Sequence, residues 1–231
     1  MKKIVCLMLA AVLCIAAIPA MAAGRLNVVQ ENYHYVGGFM NYVYAYAKVE
    51  NVGDKPIKVN AGVLEIYDAD GEVITSTDYV MAYATYLNPG EYTYVRMYEG
   101  IEEGAKAPDD YMLTLTGKSE NDKIAFRLPV EASFELDVKD GWWEYNYLYA
   151  TVTNPTEEIL YDAEVVFALL DGAGNIICIE SKSLYSEVGI MPGQSVMIRL
   201  DISSSFTDYY DEKGIVPASV DALAYVLQDF E

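Results

Sequence analysis

The sequence predicts an all-β protein made of two tandem antiparallel β-sandwich domains. Two observations predict strands: apolar residues recur with a period of two, and glycine, proline, asparagine and aspartate punctuate the chain at short intervals. A third observation predicts two domains, because the second part of the chain repeats the first.

The first 23 residues have the pattern of a cleavable secretory signal. Met1-Lys2-Lys3 is basic, the run 4–18 is apolar, and the A-x-A sequence at 20–22 is a cleavage site. The apolar run is shorter than the roughly 20 residues that span a bilayer as a helix. We therefore expect cleavage after Ala22 or Ala23, a mature chain without stable membrane insertion, and a secreted, periplasmic or cell-envelope location of the bacterial type.

Cysteine usage and charge narrow the class further. Cys178 is the only cysteine outside the predicted signal, so no intramolecular disulfide can form, and we expect its thiol to be a small buried apolar group. The formal net charge of −20 repels phosphate backbones and anionic headgroups. Nucleic acid and membrane surfaces are therefore not expected partners.

The repeat is ungapped and has a period of 103 residues. Between positions 38 and 98 it contains 14 identities, many of them in turn residues with a backbone role. The pattern predicts a first domain over 24–129 and a second over 130–231. The aligned pairs include Tyr42/Tyr145, Tyr44/Tyr147, Tyr46/Tyr149, Asn51/Asn154, Asp68/Asp171, Gly71/Gly174, Gly90/Gly193 and Arg96/Arg199.

The elements follow in order along each repeat. A first strand or its edge contains Tyr33-His34-Tyr35, and the next, at 42–50, points Val43, Ala45, Ala47 and Val49 inward. Asp68-Ala69-Asp70-Gly71 and its counterpart 171–174 close hairpins. No stretch has a helical pattern, and the acidic segment 208–212 is expected to be a loop. Further strands are expected at 61–67, 72–79, 92–98 and 110–116, and at 164–170, 175–182, 195–201 and 220–227.

Two immunoglobulin-like sandwiches of about 100 residues each accommodate this strand order. The segments Leu64-Glu65-Ile66-Tyr67-Asp68 and Phe167-Ala168-Leu169-Leu170-Asp171 each partly match the F-x-L-Y-D signature of a bacterial extracytoplasmic domain. An asparagine turn before the signature and a Pro-Gly turn after it are also similar to that family. The resemblance to FxLYD-type domains implies a small immunoglobulin-like sandwich on exported bacterial proteins, without assigned catalytic residues.

The sequence offers little catalytic chemistry, and we do not expect an enzyme or a cofactor. His34 is the only histidine, and we expect it to be a surface or hydrogen-bonded structural residue. One histidine and one mature cysteine cannot form a zinc cluster or a Cys–His pair. Asp68-x-Asp70-Gly71 resembles the start of a calcium loop, but Ala173 replaces Asp70 in the second copy, so a β-turn is favoured over a metal site.

Aromatic residues form the candidate binding face. Strand alternation points them outward, and tyrosine combines a large contact area with a polar tip, which suits protein or sugar recognition. Two alternatives stay open: the tyrosines pair across strands of a half-wet sheet, or they are buried between the two domains. The face comprises Tyr42, Tyr44, Tyr46, Tyr92, Tyr94, Arg96 and Tyr98. Trp142 and Trp143 form a second candidate patch: alternation lets only one of them point inward, unless a bulge buries both.

The leading functional hypothesis is a secreted, non-catalytic binding or interaction module that engages protein or glycan through the tyrosine face of the first domain. The alternative is a structural or adhesion subunit of an extracellular assembly, whose exposed strand edges pair with other copies.

Overall fold

A computed structural model of the protein describes residues 24–37, 41–119, 123–140, 142–184 and 189–229. The predicted signal, residues 1–23, lies outside this part of the chain. The described residues are mostly in strands, with one helix, α1 (Ser204–Lys213). The predicted all-β class is therefore confirmed.

Strands follow one another with short connections. Those of residues 24–119 are β1 (Leu26–Val36), β2 (Tyr42–Asn51), β3 (Ile57–Tyr67), β4 (Val73–Thr77), β5 (Met81–Ala82), β6 (Tyr86–Leu87), β7 (Tyr92–Gly100) and β8 (Asp110–Lys118). Those of residues 123–229 are β9 (Lys123–Leu128), β10 (Val130–Asp140), β11 (Trp143–Thr153), β12 (Ala163–Asp171), β13 (Ile176–Leu184), β14 (Ser195–Asp201) and β15 (Pro217–Asp229).

The strands form four antiparallel sheets. Sheet I has the order β1-β2-β7-β5, and sheet II is centred on β3, with β4 and β6 on one edge and β8 on the other. Sheet III has the order β10-β11-β14, and sheet IV the order β13-β12-β15-β9. Strand β9 precedes Pro129, where the sequence places the domain junction, but it pairs with β15 and so extends sheet IV.

Three apolar layers separate the four sheets. The first lies between sheets I and II and contains Val43, Ala45, Ala47 and Val49, which are the residues that alternation points inward. The second lies between sheets III and IV and includes Cys178, buried as expected. The third lies between the outer faces of sheets I and IV. The sheets therefore stack in the order II, I, IV, III.

Strand predictions agree with the structure in position and in facing. Each of the eight further strands expected from alternation overlaps an observed one, although β3 begins earlier, at Ile57. Leu64 and Ile66 of the first signature segment, and Phe167 and Leu169 of the second, are fully buried. These positions therefore belong to the packed core, as the alternation predicts.

The repeated asparagines make the same hydrogen bonds in both copies. Asn51 is fully buried and donates from Nδ2 to the carbonyls of Lys55 and Leu87, at 2.8 and 3.0 Å. Asn154, also fully buried, donates to the carbonyls of Glu158 and Ile190, both at 2.7 Å. Each side chain thus ties its own turn to a carbonyl 36 residues later in the chain, through hydrogen bonds shielded from water.

The repeated aspartates close hairpins, as predicted. Asp68 Oδ1 accepts hydrogen bonds from the backbone N–H groups of Asp70 and Glu72, both at 2.9 Å, at the turn between β3 and β4. Asp171 does the same for Ala173 and Asn175 between β12 and β13. Because both carboxylates hold a turn in the same way, the resemblance of the first to a calcium loop is explained by turn geometry.

The expectation of no helix was wrong. Helix α1 occupies the segment that was expected to be an acidic loop, and Phe206, Tyr209 and Tyr210 lie three and four residues apart on one side of it. Tyr210 is 2% exposed and donates a hydrogen bond to the carbonyl of Ile177 at 2.9 Å. Gly214, with a φ of 65°, ends the helix in the left-handed conformation that favours glycine.

Candidate functional site

The predicted tyrosine residues form one continuous surface on sheet I. Strands β2 and β7 are neighbours, and their register places Tyr44 opposite Tyr98, Tyr46 opposite Arg96, and Lys48 opposite Tyr94. Because directly opposed residues share a face of the sheet, both tyrosine runs point the same way. We call this surface the tyrosine face.

Much of the tyrosine face is covered by sheet IV. Tyr46 and Tyr94 are 0% and 1% exposed, so the prediction that they are available to a partner was wrong. Val166, Ala168 and Leu223 of sheet IV belong to the same buried cluster. Alternation identifies the face of a strand but not what packs against that face, and the alternative of burial between the two repeats is the arrangement observed.

A carboxylate from the second half of the chain enters the buried seam. Asp221 of β15 accepts hydrogen bonds from Tyr94 Oη at 2.5 Å, from Tyr92 Oη at 3.2 Å, and from Lys48 Nζ at 3.1 Å. Burial disfavours its charge, but the hydrogen bonds from Tyr94 and Lys48 outweigh burial and lower the pKa of Asp221. Burial, followed by the negative charge of Asp221 and then the hydrogen bond to it, raises the pKa of Tyr92 to about 12.

A second ion pair crosses the same seam. Arg96 Nη1 lies 2.9 Å from Glu180 Oε1 and donates a hydrogen bond to the carbonyl of Ile179 at 3.0 Å. Burial raises the pKa of Glu180, and Arg96 partly offsets that rise. Tyr92, Tyr94 and Arg96 therefore serve as packing and hydrogen-bonding groups between two sheets. Tyr94 is buried, whereas Tyr92 and Arg96 are half-buried and Tyr92 also lines a separate cavity of about 290 Å³.

The outer end of the tyrosine face borders an open groove of about 370 Å³. One wall is Tyr44 of β2 with Val36 at the end of β1, and the other wall is helix α1. Tyr44 and Phe206 face each other across the seam, with ring centroids 5.0 Å apart at an angle of 64°. Because the two walls come from distant parts of the sequence, alternation alone could not predict the groove.

The groove combines aromatic rings with hydrogen-bonding groups. Its helical wall presents Phe206 and Tyr209 as apolar surface, and the carboxylates of Asp208 and Glu212 are exposed beside them. The hydroxyl-bearing residues Ser203 and Ser205 complete the lining. The helix supplies residues that the sequence interpretation missed; the spacing of Phe206, Tyr209 and Tyr210 is the signal that would have identified it.

Tyr42 and Tyr98 continue the aromatic surface away from the groove. Their rings are 6.2 Å apart, and Tyr98 is 6.0 Å from Tyr44 and 6.2 Å from Tyr79. Tyr42, Tyr44 and Tyr98 are half-buried. These three residues form the part of the predicted face that lies beside and beyond the groove.

His34 contacts Tyr209, one of the residues that line the groove. Its ring is buried, its Nδ1 lies 3.3 Å from Tyr209 Oη, and its Nε2 lies 3.2 Å from Asn32 Nδ2. Burial lowers the pKa of His34. The side chain positions Tyr209, which agrees with a hydrogen-bonded structural histidine.

The tryptophan pair lies away from the groove. Trp142 is fully exposed, at the turn before β11. Trp143 begins β11, but its side chain lies outside the described part of the structure. Trp142 is not among the residues that line the groove.

A comparison of the chain with protein-family models and with curated proteins finds no match. No helix in the described residues is long and apolar enough to cross a membrane. The chemistry of the groove and the contacts of the seam are therefore the basis for a functional conclusion.

Proposed function

We propose that the protein is an exported, non-catalytic binding module, and that the groove between Tyr44 and helix α1 holds its ligand. The observation that carries the proposal is the meeting of two aromatic walls from distant parts of the chain around an open volume of about 370 Å³. This volume lies in the range of small-ligand sites. The export signal of residues 1–23 supports an extracytoplasmic location.

Among the two ligand classes that the sequence suggests, the groove favours a glycan over a protein. The half-buried rings of Tyr44 and Phe206 line the groove and suit the apolar face of a sugar ring, while Asp208 and Glu212 can accept hydrogen bonds from sugar hydroxyls. The carboxylates and the net charge of −20 disfavour an acidic ligand. We therefore expect a neutral or amino-substituted glycan.

The positions of the perturbed groups support binding rather than catalysis. Tyr94, Asp221, Arg96 and Glu180 interact across the seam between sheets I and IV, where Tyr94 is buried and the side chains of Arg96, Glu180 and Asp221 are 17%, 26% and 35% exposed. A catalytic acid or base must reach its substrate, and these groups face each other instead. Structural ion-pair networks shift pKa values in the same way.

A glycan array probed with residues 24–231 tests the proposal. Neutral glycans should bind, and Tyr44→Ser or Asp208→Asn should weaken the binding at least about tenfold, or about 1.4 kcal/mol, by isothermal titration of the best hit. Asp211→Asn is a matched control, since Asp211 lies on the same helix outside the groove lining. Tyr149→Ser, on sheet III, is the aromatic control.

Two results would contradict the proposal. The first is an array without hits, accompanied by capture of an envelope protein that added glycans do not displace, which would favour the protein class. The second is a bound glycan whose affinity is the same in Asp208→Asn and Asp211→Asn, which would move the ligand away from the groove.

A further inference from the structure

The tyrosine face has an uncovered counterpart on sheet III. The positions 103 residues after Tyr46 and Arg96 are Tyr149 and Arg199, and these are also directly opposite each other, on β11 and β14. Sheet IV covers the face of sheet I, whereas Thr151 and Met197 on the outer face of sheet III are exposed, with Tyr147 on that face buried. Arg199 is exposed there, with its guanidinium 4.4 Å from the centre of the Tyr147 ring.

The covering sheet also has an uncovered counterpart. Sheet II is the equivalent of sheet IV, because β3 and β12 contain the two signature segments. Its outer face carries three exposed apolar side chains, Val63 at 41%, Val73 at 50% and Met112 at 47%. Sheet III, at one end of the stack, thus has an outer face equivalent to the tyrosine face of sheet I. Sheet II, at the other end, has an outer face equivalent to the one by which sheet IV covers the tyrosine face.

We propose that the outer face of sheet III binds the outer face of sheet II of a second copy of this chain, in the arrangement that sheets I and IV have within one copy. The partner is a second copy because the chain itself shows what packs on this type of face. The two surfaces differ, so the contact is head-to-tail and leaves one free face at each end.

The apolar residues of sheet II occupy positions that are buried in the internal seam. Val63 and Val73 lie 103 residues before Val166 and Ile176, both of which are fully buried in the cluster between sheets I and IV. In one copy the equivalent valines are exposed to water. Burying such side chains stabilises association by removing apolar area from solvent.

The centre of the seam provides the strongest indication of a match. In the internal seam, Tyr94 donates a hydrogen bond to Asp221. On sheet IV, Asp221 lies opposite Ala168. The residue 103 positions before Ala168 is Glu65 of sheet II, and Met112 lies opposite Glu65. Met112 is therefore the counterpart of Asp221.

On the other surface, Met197 is the counterpart of Tyr94 and is 72% exposed. The Tyr94–Asp221 pair of the internal seam is thus replaced by methionine on both free faces, while Arg199 keeps the position of Arg96 and Thr77 takes that of Glu180. Thr151 occupies the position of Lys48, which donates to Asp221 in the internal seam. The proposed contact between copies therefore has no lysine at this position that would need the carboxylate of Asp221. Methionine is an adaptable side chain that is common at binding surfaces.

Sedimentation velocity over a range of concentrations, at physiological ionic strength to screen the net charge of −20, tests the proposal. The sedimentation coefficient of residues 24–231 should rise with concentration. Met197→Glu and Met112→Glu should each remain at the monomer value, because each variant loses one of the two faces. An equimolar mixture of the two variants should form a one-to-one dimer and nothing larger.

Met191→Glu is the control, since Met191 is also 47% exposed but lies on neither face. It should associate as the wild-type chain does. Wild-type protein that stays monomeric at every concentration would overturn the proposal. Dimers formed by either single variant alone would also overturn it, because they would show a symmetric contact. These outcomes are independent of glycan binding, since the groove lies on neither face.

Discussion

At the scale of single residues, amino acids that are identical at the 103-residue offset have the same structural role in both copies. Asn51 and Asn154 fill the same buried turn, and Asp68 and Asp171 fold the same hairpin. Sequence identity at the 103-residue offset predicted these positions because turn geometry depends on a few neighbouring residues. The exposure of Tyr46 and Tyr94 could not be predicted in the same way, because it depends on sheet IV, whose strands all lie later in the chain, between residues 123 and 229.

The buried asparagines give a prediction at this scale. Asn51→Ala or Asn154→Ala should each lower the free energy of unfolding by about 3 kcal/mol, because buried backbone carbonyls lose their donor. Urea unfolding followed by circular dichroism measures the change. Asn60→Ala, at an exposed position of β3, should change the stability by less than about 0.5 kcal/mol. An equal effect at Asn60 and Asn51 would contradict the assigned role.

At the scale of elements, strands were predictable and the helix was not. The longer strands alternate apolar and polar residues over many positions, so their positions and inward faces follow from the sequence. The two-residue strands β5 and β6, and β9, were not expected. Helix α1 has ten residues, and its apolar side consists of tyrosine and phenylalanine among acidic residues. Aromatic residues also favour strands, so the helical spacing was obscured. The groove depended on that helix and was missed with it.

Tyr210 anchors the helix and allows a test. Tyr210→Ala should lower the free energy of unfolding by about 3–5 kcal/mol and remove amide-exchange protection from residues 204–213, because a buried ring and its hydrogen bond to Ile177 are lost. Tyr210→Phe keeps the ring and should cost about 1 kcal/mol. A helix that stays protected in Tyr210→Ala would show that other contacts hold it.

At the scale of the whole molecule, four sheets stack so that the tyrosine face is mostly internal. The sequence predicted a sandwich in each repeat, but it could not predict which outer faces meet. The covering strand β15 lies beyond the ungapped part of the repeat, and Asp221 has no counterpart at an offset of 103 that would mark it. The contact instead depends on a carboxylate that accepts hydrogen bonds from Tyr94 and Lys48.

The central claim is that the tyrosine face joins the two parts of the chain, and a double-mutant cycle between Tyr94 and Asp221 tests it most directly. Tyr94→Phe, Asp221→Asn and the double variant should show a coupling of about 1 kcal/mol in urea unfolding at pH 7. Since the folded-state pKa of Asp221 is lowered, the coupling should be full above the unfolded value of about 3.9 and fade as the pH falls through the folded value. A control cycle that combines Tyr94→Phe with Asp211→Asn should give additive effects. Additive effects of Tyr94→Phe and Asp221→Asn would contradict the claim.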